Sequence, residues 1–348
     1  MPSLADRFRD HASRMQGLYR TLLYEMAADW DARGVVREIC RDWADAPANA
    51  VVQLRLLAGV QRLVLRRQAP ELALFYPNLG GTADPSGAWP VFRRVLSEHV
   101  DELREALHAA PQTNEPGRSA PLLVGIFDAV RRSGRHRVRL LEPGASAGLN
   151  LLVDRFRIGG SEPELWWSGP ADSPLRLGSA VIGGIEPVDY TIVARRGCDV
   201  APVDPGTEEG RLRLTSFVWP HHVERYQRLQ AALRVAAEHP VPVDQADAAD
   251  WLAGQLADPA DESVLTVVWH SVTSQYWAPA EIRRVGELIA DAGSRLPIAH
   301  IAMENPPGAE FQPAELTVAL YPGDTARTAV RRRLAVVADH GVPVTLRG

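Results

Sequence analysis

The sequence predicts an α/β fold, a mostly parallel sheet covered by helices on both faces, preceded by a helical region. Three observations lead there. Residues 4–108 run in long Arg/Leu/Ala/Glu-rich segments with few β-branched alternations, the texture of helices. From Arg137 onward short apolar runs of strand length take turns with helical segments, and that alternation implies parallel strands joined by crossovers. The first of those runs ends in EPGASAG, a cluster of small residues suited to a tight turn out of a strand.

In the helical region, LADRFRDHASRMQGLYRTLLYEMAADW reads as helix. NAVVQLRLLAGVQRLVLRR is apolar nearly all round, through Val51, Val52, Leu54, Leu56, Leu57, Val60, Leu63 and Val64, which marks a helix buried between others. Phe75 to Pro90, punctuated by Gly and Pro, reads as a loop. Polar PQTNEPGRSA then leads into a helix whose apolar face is Leu122, Leu123, Ile126 and Val130. The strand candidates that follow are RVRLLE, TIVARRGCDVAP, VPVDQADAADWL, VLTVVWHSV and PIAHIAMEN. Helices are expected directly after the glycine cluster, over Val223 to Ala237, after VPVDQADAADWL, and from Pro279. Val223, Tyr226, Leu229, Leu233 and Ala236 form one stripe, and Ile282, Val285, Leu288 and Ile289 another.

ELTVALYPG and LAVVADHGVPVTLRG are two more strand candidates, expected to finish the sheet as an antiparallel pair. PPGAEFQPA before them is too short and Pro-rich for a full helix. Ile158 to Pro187, with Trp166-Trp167 and many Gly and Pro, fits neither texture and is read as an insertion at about 157–188, after the first crossover helix. The expected organisation is therefore a helical lid or cap region, 1–110, and an α/β domain, 111–348.

Composition narrows the chemistry. The chain has 348 residues, 46% of them hydrophobic, which is enough for a large core. Its formal charge is −5 and its pI about 6.1, so no global cationic field draws it to nucleic acid or an anionic membrane. All 38 basic residues are Arg; without Lys there is no Schiff-base lysine and no Walker A lysine. The two cysteines, Cys40 and Cys198, have no partners at metal-ligand spacing and form no disulfide framework. A charged beginning and the lack of an 18-residue apolar run lead us to expect neither signal peptide nor membrane span, hence a cytoplasmic protein.

The Gly-x-Ser-x-Gly between Gly144 and Gly148 admits three readings: a nucleophile holder, a cofactor cradle, or a turn that only permits close packing. In a parallel sheet ligands bind outside the carboxyl ends of the strands, and a glycine-rich first turn lets backbone approach them. The nicotinamide-type Gly-x-Gly-x-x-Gly does not match, because the small residues fall at Gly144, Ser146 and Gly148. The spacing acid-x-Gly-x-small-x-Gly, starting at Glu142, resembles instead the first motif of class I S-adenosylmethionine-dependent methyltransferases. That resemblance implies a Rossmann-like fold in which this turn passes the methionine part of the cofactor; Asn150, just past the turn, either orients the cofactor or only satisfies the turn. It further implies an acid at the end of the second strand for the ribose hydroxyls, which is Asp199, and a polar position after the third beside the adenine, Asp247-Ala248. The fourth strand then delivers His270 and Ser271 to the same rim. The interval from Gly148 to Asp199 exceeds the ~20 residues of the dinucleotide analogue, which requires the insertion.

A serine-hydrolase alternative makes Ser146 the nucleophile, with Asp247 and then His270 or His300 downstream. Against it, a long helical stretch precedes the elbow where such a fold places several strands, and no His-Gly-Gly oxyanion segment occurs.

Other polar groups have bland and functional readings side by side. In Gln112-Thr113-Asn114-Glu115, Thr113 or Asn114 caps the next helix and Glu115 sits in its first turn, or Glu115 and Arg118 face a substrate. His270 is a satisfied structural histidine or an imidazole that takes a proton from a nucleophile. Gln275 and Tyr276 follow on the same loop, and Glu304-Asn305 close the fifth strand. His221-His222 read as a helix start and Arg331-Arg332-Arg333 as a solvated face. Taken together, QTNEPGR, LLEPGASAGLNLLVDRF, RRGCDVAPVD, FVWP, DAADWL and VVWHSV resemble the bacterial family known as domain of unknown function 2332, over most of the chain.

The expectation is methyl transfer from S-adenosylmethionine to a small molecule, with no metal, nucleic acid or membrane partner. Glu142, Gly144, Ser146, Gly148, Asn150, Asp199, Asp247 and Ala248 are expected to hold the cofactor. Glu115, Arg118, His270 and Tyr276 are expected to hold or deprotonate the acceptor. The alternatives are a non-catalytic ligand-binding protein on the same scaffold and the hydrolase using Ser146.

Overall fold

The computed structural model describes residues 2–161, 165–257, 261–306, 312–323 and 329–347. They form two compact units: Met1–Thr113 with Thr207–Gln227, and Asn114–Gly206 with Arg228–Gly348. The α-helices in chain order begin with α1 (Leu4–Ser13), α2 (Gly17–Asp31), α3 (Val35–Cys40), α4 (Val52–Leu65), α5 (Pro70–Ala73), α6 (Ala88–Glu98) and α7 (Val100–Ala106), all in the first unit. Next, α8 (Ser119–Ser133) belongs to the second unit and α9 (Glu208–Ser216) to the first, while α10 (Val223–Glu238) starts in the first and continues in the second. The last two, α11 (Ala248–Ala257) and α12 (Pro279–Gly293), lie in the second unit. No helix among the described residues is long and apolar enough to cross a membrane.

The first unit packs around Phe8, Tyr19, Leu22, Met26, Leu56, Val60, Tyr76 and Phe92, all buried. As its all-round apolar pattern suggests, α4 lies inside this core. Its fully buried Gln61 accepts from the Tyr19 hydroxyl at 2.7 Å and donates to the Val218 carbonyl at 2.9 Å. That amide draws the 207–227 segment into the helical unit, since a buried carboxamide without partners is costly. Phe75 to Pro90 contains two short 3-10 turns, Pro77–Leu79 and Pro85–Gly87, before α6 begins at Ala88.

The second unit is built on an 11-stranded sheet. Its strands are β1 (Arg137–Pro143), β2 (Arg157–Gly160), β3 (Trp166–Ser168), β4 (Arg176–Ile182), β5 (Thr191–Asp199), β6 (Val243–Gln245), β7 (Val264–Ser271), β8 (Ile298–Glu304), β9 (Ala314–Tyr321), β10 (Val330–Val337) and β11 (Val344–Leu346). The spatial order is β3-β2-β4-β11-β10-β9-β8-β7-β1-β5-β6. From β6 to β8 all neighbours are parallel, and β8 to β11 are antiparallel. Every position of β7 is buried, as expected of a central parallel strand, its polar Thr266, His270 and Ser271 included.

Four expectations need correction. The glycine cluster leads not into an α-helix but into a 3-10 segment, Leu149–Arg155, with non-helical torsions at Leu152. Leu149 through Val153 are all buried, so no polar face exists for a surface crossover helix. Described residues of the 157–188 stretch do not stand apart; β2, β3 and β4 extend the sheet, and β4 pairs with β11. The carboxy-terminal end supplies three strands rather than two, because GVP turns the chain between β10 and β11. Ile282 is exposed, so the α12 face narrows to Val285 and Ile289, with Leu288 half-buried. Most of PPGAEFQPA lies outside the described residues.

Helix α8 meets the sheet at Gly125, where a Cβ atom would lie 2.5 Å from Ile301 Cγ2 on β8. Ile301 is β-branched and has little rotamer freedom to yield. Gly254, on the exposed side of α11, has nothing within 4 Å of that position. The two glycines should respond oppositely to alanine in urea unfolding. We expect Gly125→Ala to destabilise by about 1–2 kcal/mol through overpacking and Gly254→Ala to stabilise by about 0.5–1 kcal/mol through helix propensity.

Candidate functional site

The turn after β1 is held by the end of β5. The N–H groups of Gly144 and Ala145 both donate to the Cys198 carbonyl, at 2.8 and 2.9 Å. Ser146 N–H donates to Asp199 Oδ2 at 2.9 Å, and Asp199 Oδ1 accepts from Ala201 N–H at 2.9 Å. Gly148 N–H closes back on the Ala145 carbonyl at 2.8 Å. Gly144 and Gly148 have φ of 76° and 72°, in the left-handed region open to glycine. Space demands them as well. A Cβ on Gly144 would lie 2.4 Å from Thr273 Oγ1, and one on Gly148 2.7 Å from Val241 Cγ2. Ser146 itself sits at φ 55° with a buried hydroxyl that makes no hydrogen bond.

QTNEPGR folds against this turn. Asn114 Oδ1 accepts from Leu149 N–H at 2.8 Å, so it caps the 3-10 segment, and the Ser119 hydroxyl donates to Asn150 Oδ1 at 2.9 Å. Glu115 accepts from Gly117 N–H at 3.1 Å and pairs with Arg228 of α10 at 3.3 Å, both side chains being largely buried. Arg118 donates to the Ser271 carbonyl at the end of β7, at 3.1 Å.

At the centre stands Glu142, 2% exposed. Burial pushes its carboxyl up to about 8; the Trp269 indole, the Arg118 charge and Asn150 pull against this, and the Asp199 charge adds to it. Glu142 Oε2 and Trp269 Nε1 lie close to each other without meeting hydrogen-bond geometry. Glu142 is therefore a neutral acid near pH 7, a donor as much as an acceptor.

His270 lies on the other side of the sheet. Leu141 and Val268 are paired across β1 and β7 and both join the core under α11 and α12. Side chains alternate along a strand, so Glu142 and Trp269 face away from that core while His270 faces it. His270 Nδ1 meets Glu304 Oε1 at 2.7 Å and Nε2 meets His300 Nε2 at 2.9 Å, so both ring nitrogens are committed within the chain. Burial, reinforced by the His270 and Arg331 charges, lowers His300 to about 3. Burial raises the Glu304 carboxyl, but the His270 hydrogen bond and charge and the Thr273 N–H outweigh it and leave it below its ordinary value. Glu304 Oε1 also accepts from the N–H groups of Thr273 and Ser274, at 3.2 and 3.4 Å.

The remaining expected residues fall as follows. Asp199 and Asp247 follow neighbouring strands, joined where Ala246 N–H donates to the Asp199 carbonyl at 3.1 Å. Asp199 is half-buried and Asp247 exposed, and the Ala248 methyl packs into the core with α11 and α12. Tyr276 is 80% exposed. Ser146 Oγ bonds to no histidine, which removes the central contact of a serine hydrolase. Among the described residues no group of three His, Cys, Asp or Glu is disposed to hold a metal ion.

Sequence reasoning missed Val272, Thr273 and Arg228. Val272 has φ 49°, an outlier for a β-branched residue, and nothing in HSVT announces it.

No curated protein and no solved structure matches the chain. A family model described as an uncharacterized protein conserved in bacteria (DUF2332) matches residues 5–345, which takes in all but a few residues at either end. The chain belongs to that family.

Proposed function

We propose that the chain binds S-adenosylmethionine at the carboxyl ends of β1, β5 and β6, on a Rossmann-like frame, and transfers its methyl group to a small molecule. The observation that carries this reading is strand order. Numbered along the chain, the parallel strands β6-β5-β1-β7-β8 run third, second, first, fourth, fifth, so the winding reverses between β1 and β7. Ligands of open α/β sheets bind at that reversal. Ser146 and Val272, non-glycine residues with left-handed φ, stand on its two sides, and backbone strain of this kind gathers at binding sites.

The residues present fit the cofactor. Ser146 Oγ and Glu142 Oε2 are buried without hydrogen bonds, an arrangement that costs about 1–3 kcal/mol each unless a ligand supplies the partner. They suit the polar methionine end. A carboxylate has about four acceptor positions, so Asp199 can brace the turn and take ribose hydroxyls. Asp247 lies beyond it, beside the position for the base. When bound, the cofactor supplies an electrophilic methyl group on a sulfonium sulfur. The chain's own part is to align: Arg118 and Tyr276 would hold the acceptor at the carboxyl edge of β7, whereas Glu115 is paired with Arg228 and His270 is committed on the other face, and positioning two reactants can supply about 7–11 kcal/mol of barrier reduction. A second reading, ligand binding without turnover on the same frame, is favoured by the full commitment of both His270 nitrogens.

Thermal unfolding with S-adenosylhomocysteine tests the binding. At 100 times Kd we expect about 2.7 kcal/mol of stabilisation, and no shift at millimolar ligand would remove the reading. Asp199→Asn keeps an oxygen for Ser146 N–H but loses the charge and the acceptor for Ala201 N–H, and should weaken the ligand about tenfold or more in calorimetry while lowering the stability of the free protein by about 1–3 kcal/mol. Retention of wild-type affinity would exclude Asp199 from the ribose site.

The pH dependence of stability offers a check on the floor of the site. Glu142 keeps its proton up to about 8 in the fold, whereas the unfolded chain releases it near the ordinary 4.5. The unfolded state thus binds fewer protons across that window, and stability falls as pH rises through it, by at most about 1.4 kcal/mol per pH unit. His300 acts oppositely, adding stability as pH rises from about 3 to its ordinary 6.5. Between pH 6.5 and 8 only the Glu142 decline remains of the two. Glu142→Gln should flatten it in urea unfolding measured across that range, and an unchanged slope would mean that Glu142 is ionised in the fold.

A further inference from the structure

The face of Gly144 turned toward β7 is filled. Thr273 places Oγ1 2.4 Å, and Cβ and Cγ2 3.1 Å, from where a Cβ on Gly144 would stand. A glycine in such a turn ordinarily lets a ligand approach the backbone; here a threonine of the same chain occupies the approach. The residue before it, Val272, is held at φ 49°, which a β-branched side chain adopts only under constraint. The constraint is visible. Val272 N–H donates to the Met303 carbonyl at 2.9 Å, and the next two amides are gathered on Glu304 Oε1. A strained residue, two backbone bonds to one carboxylate oxygen and a half-buried threonine make a segment whose closed form is held at a cost.

We propose that Thr273 is a built-in plug of the crevice between β1 and β7, and that Val272 is its sprung hinge: a ligand must displace the Thr273 side chain from Gly144, and the strain released at Val272 favours that opening. The proposal rests on the reading of this crevice as the binding site. It specifies that the ligand end arriving over Gly144 is polar and compact, since it replaces a hydroxyl and a methyl group.

Two substitutions move the plug in opposite directions. Thr273→Ala removes Oγ1 and Cγ2 and should tighten S-adenosylhomocysteine several-fold in calorimetry on the full chain. Val272→Asn puts a residue that tolerates left-handed φ at the hinge, stabilises the closed form and should weaken the ligand about tenfold. Ligand affinities within twofold of wild type for both variants would overturn the plug. If no form binds the ligand, the cofactor reading fails separately, and hydrogen exchange decides the plug. The amides of Val272, Thr273 and Ser274 are all hydrogen-bonded, so their exchange reports opening. We expect them to exchange at least 100-fold faster than Val267 to Trp269 in β7, and about tenfold slower in Val272→Asn than in wild type. Exchange at the rate of the strand, or no slowing in the variant, would overturn the hinge.

Discussion

Everything at the candidate site depends on the grip of β5 on the turn that leaves β1. One carbonyl, Cys198, and one carboxylate, Asp199, between them take the N–H groups of Gly144, Ala145 and Ser146. Buried amides must have acceptors, and here the acceptors come from the neighbouring parallel strand rather than from a following helix. That explains why no α-helix follows the turn: its amides are satisfied sideways, and the buried 3-10 segment that continues needs only Asn114 at its start. It also explains how Ser146 can be held at a left-handed φ, since its N–H and its carbonyl are both bound within the second unit.

The same grip gives Asp199 two roles that no sequence pattern separates. An acid at the end of a second parallel strand is read as a ribose ligand, yet its first service is to the turn. Strands β1, β7 and β8 were legible because each is dominated by β-branched and apolar residues, and β7 is the clearest of them. Strands β2, β3 and β4 were not: β2 and β3 are only four and three residues long, β2 and β4 contain glycine, and β4 finds a partner near the other end of the chain, at β11. Polarity marked QTNEPGR and the strand end at His270 and Ser271 as candidates. What each touches was hidden, since Glu115 meets Arg228 across 113 residues and Arg118 meets Ser271 across 153. Gln61 hid the assignment of 207–227 in the same way, reaching Val218 across 157 residues.

Alternation along β1 and β7 divides the polar groups between the two faces of the sheet. Glu142, Asn150, Arg118 and Glu115 gather on one, in surroundings that keep a carboxyl protonated, while Glu304, His270 and His300 line up on the other around an ionised carboxylate. Groups expected to serve one acceptor thus sit on opposite sides of a strand. They meet only over its carboxyl edge. There Arg118, from the first face, reaches the Ser271 carbonyl, and Glu304, from the second, holds the amides of Thr273 and Ser274.

The short run from Ser271 to Ser274 is therefore where the two faces communicate. A ligand that recruits Arg118 acts on its beginning, one that engages Glu304 acts on its end, and Thr273 between them sits against Gly144. In the proposed opening no longer pathway than these four residues is needed, because the left-handed φ of Val272 is the strain that the departure of Thr273 would release.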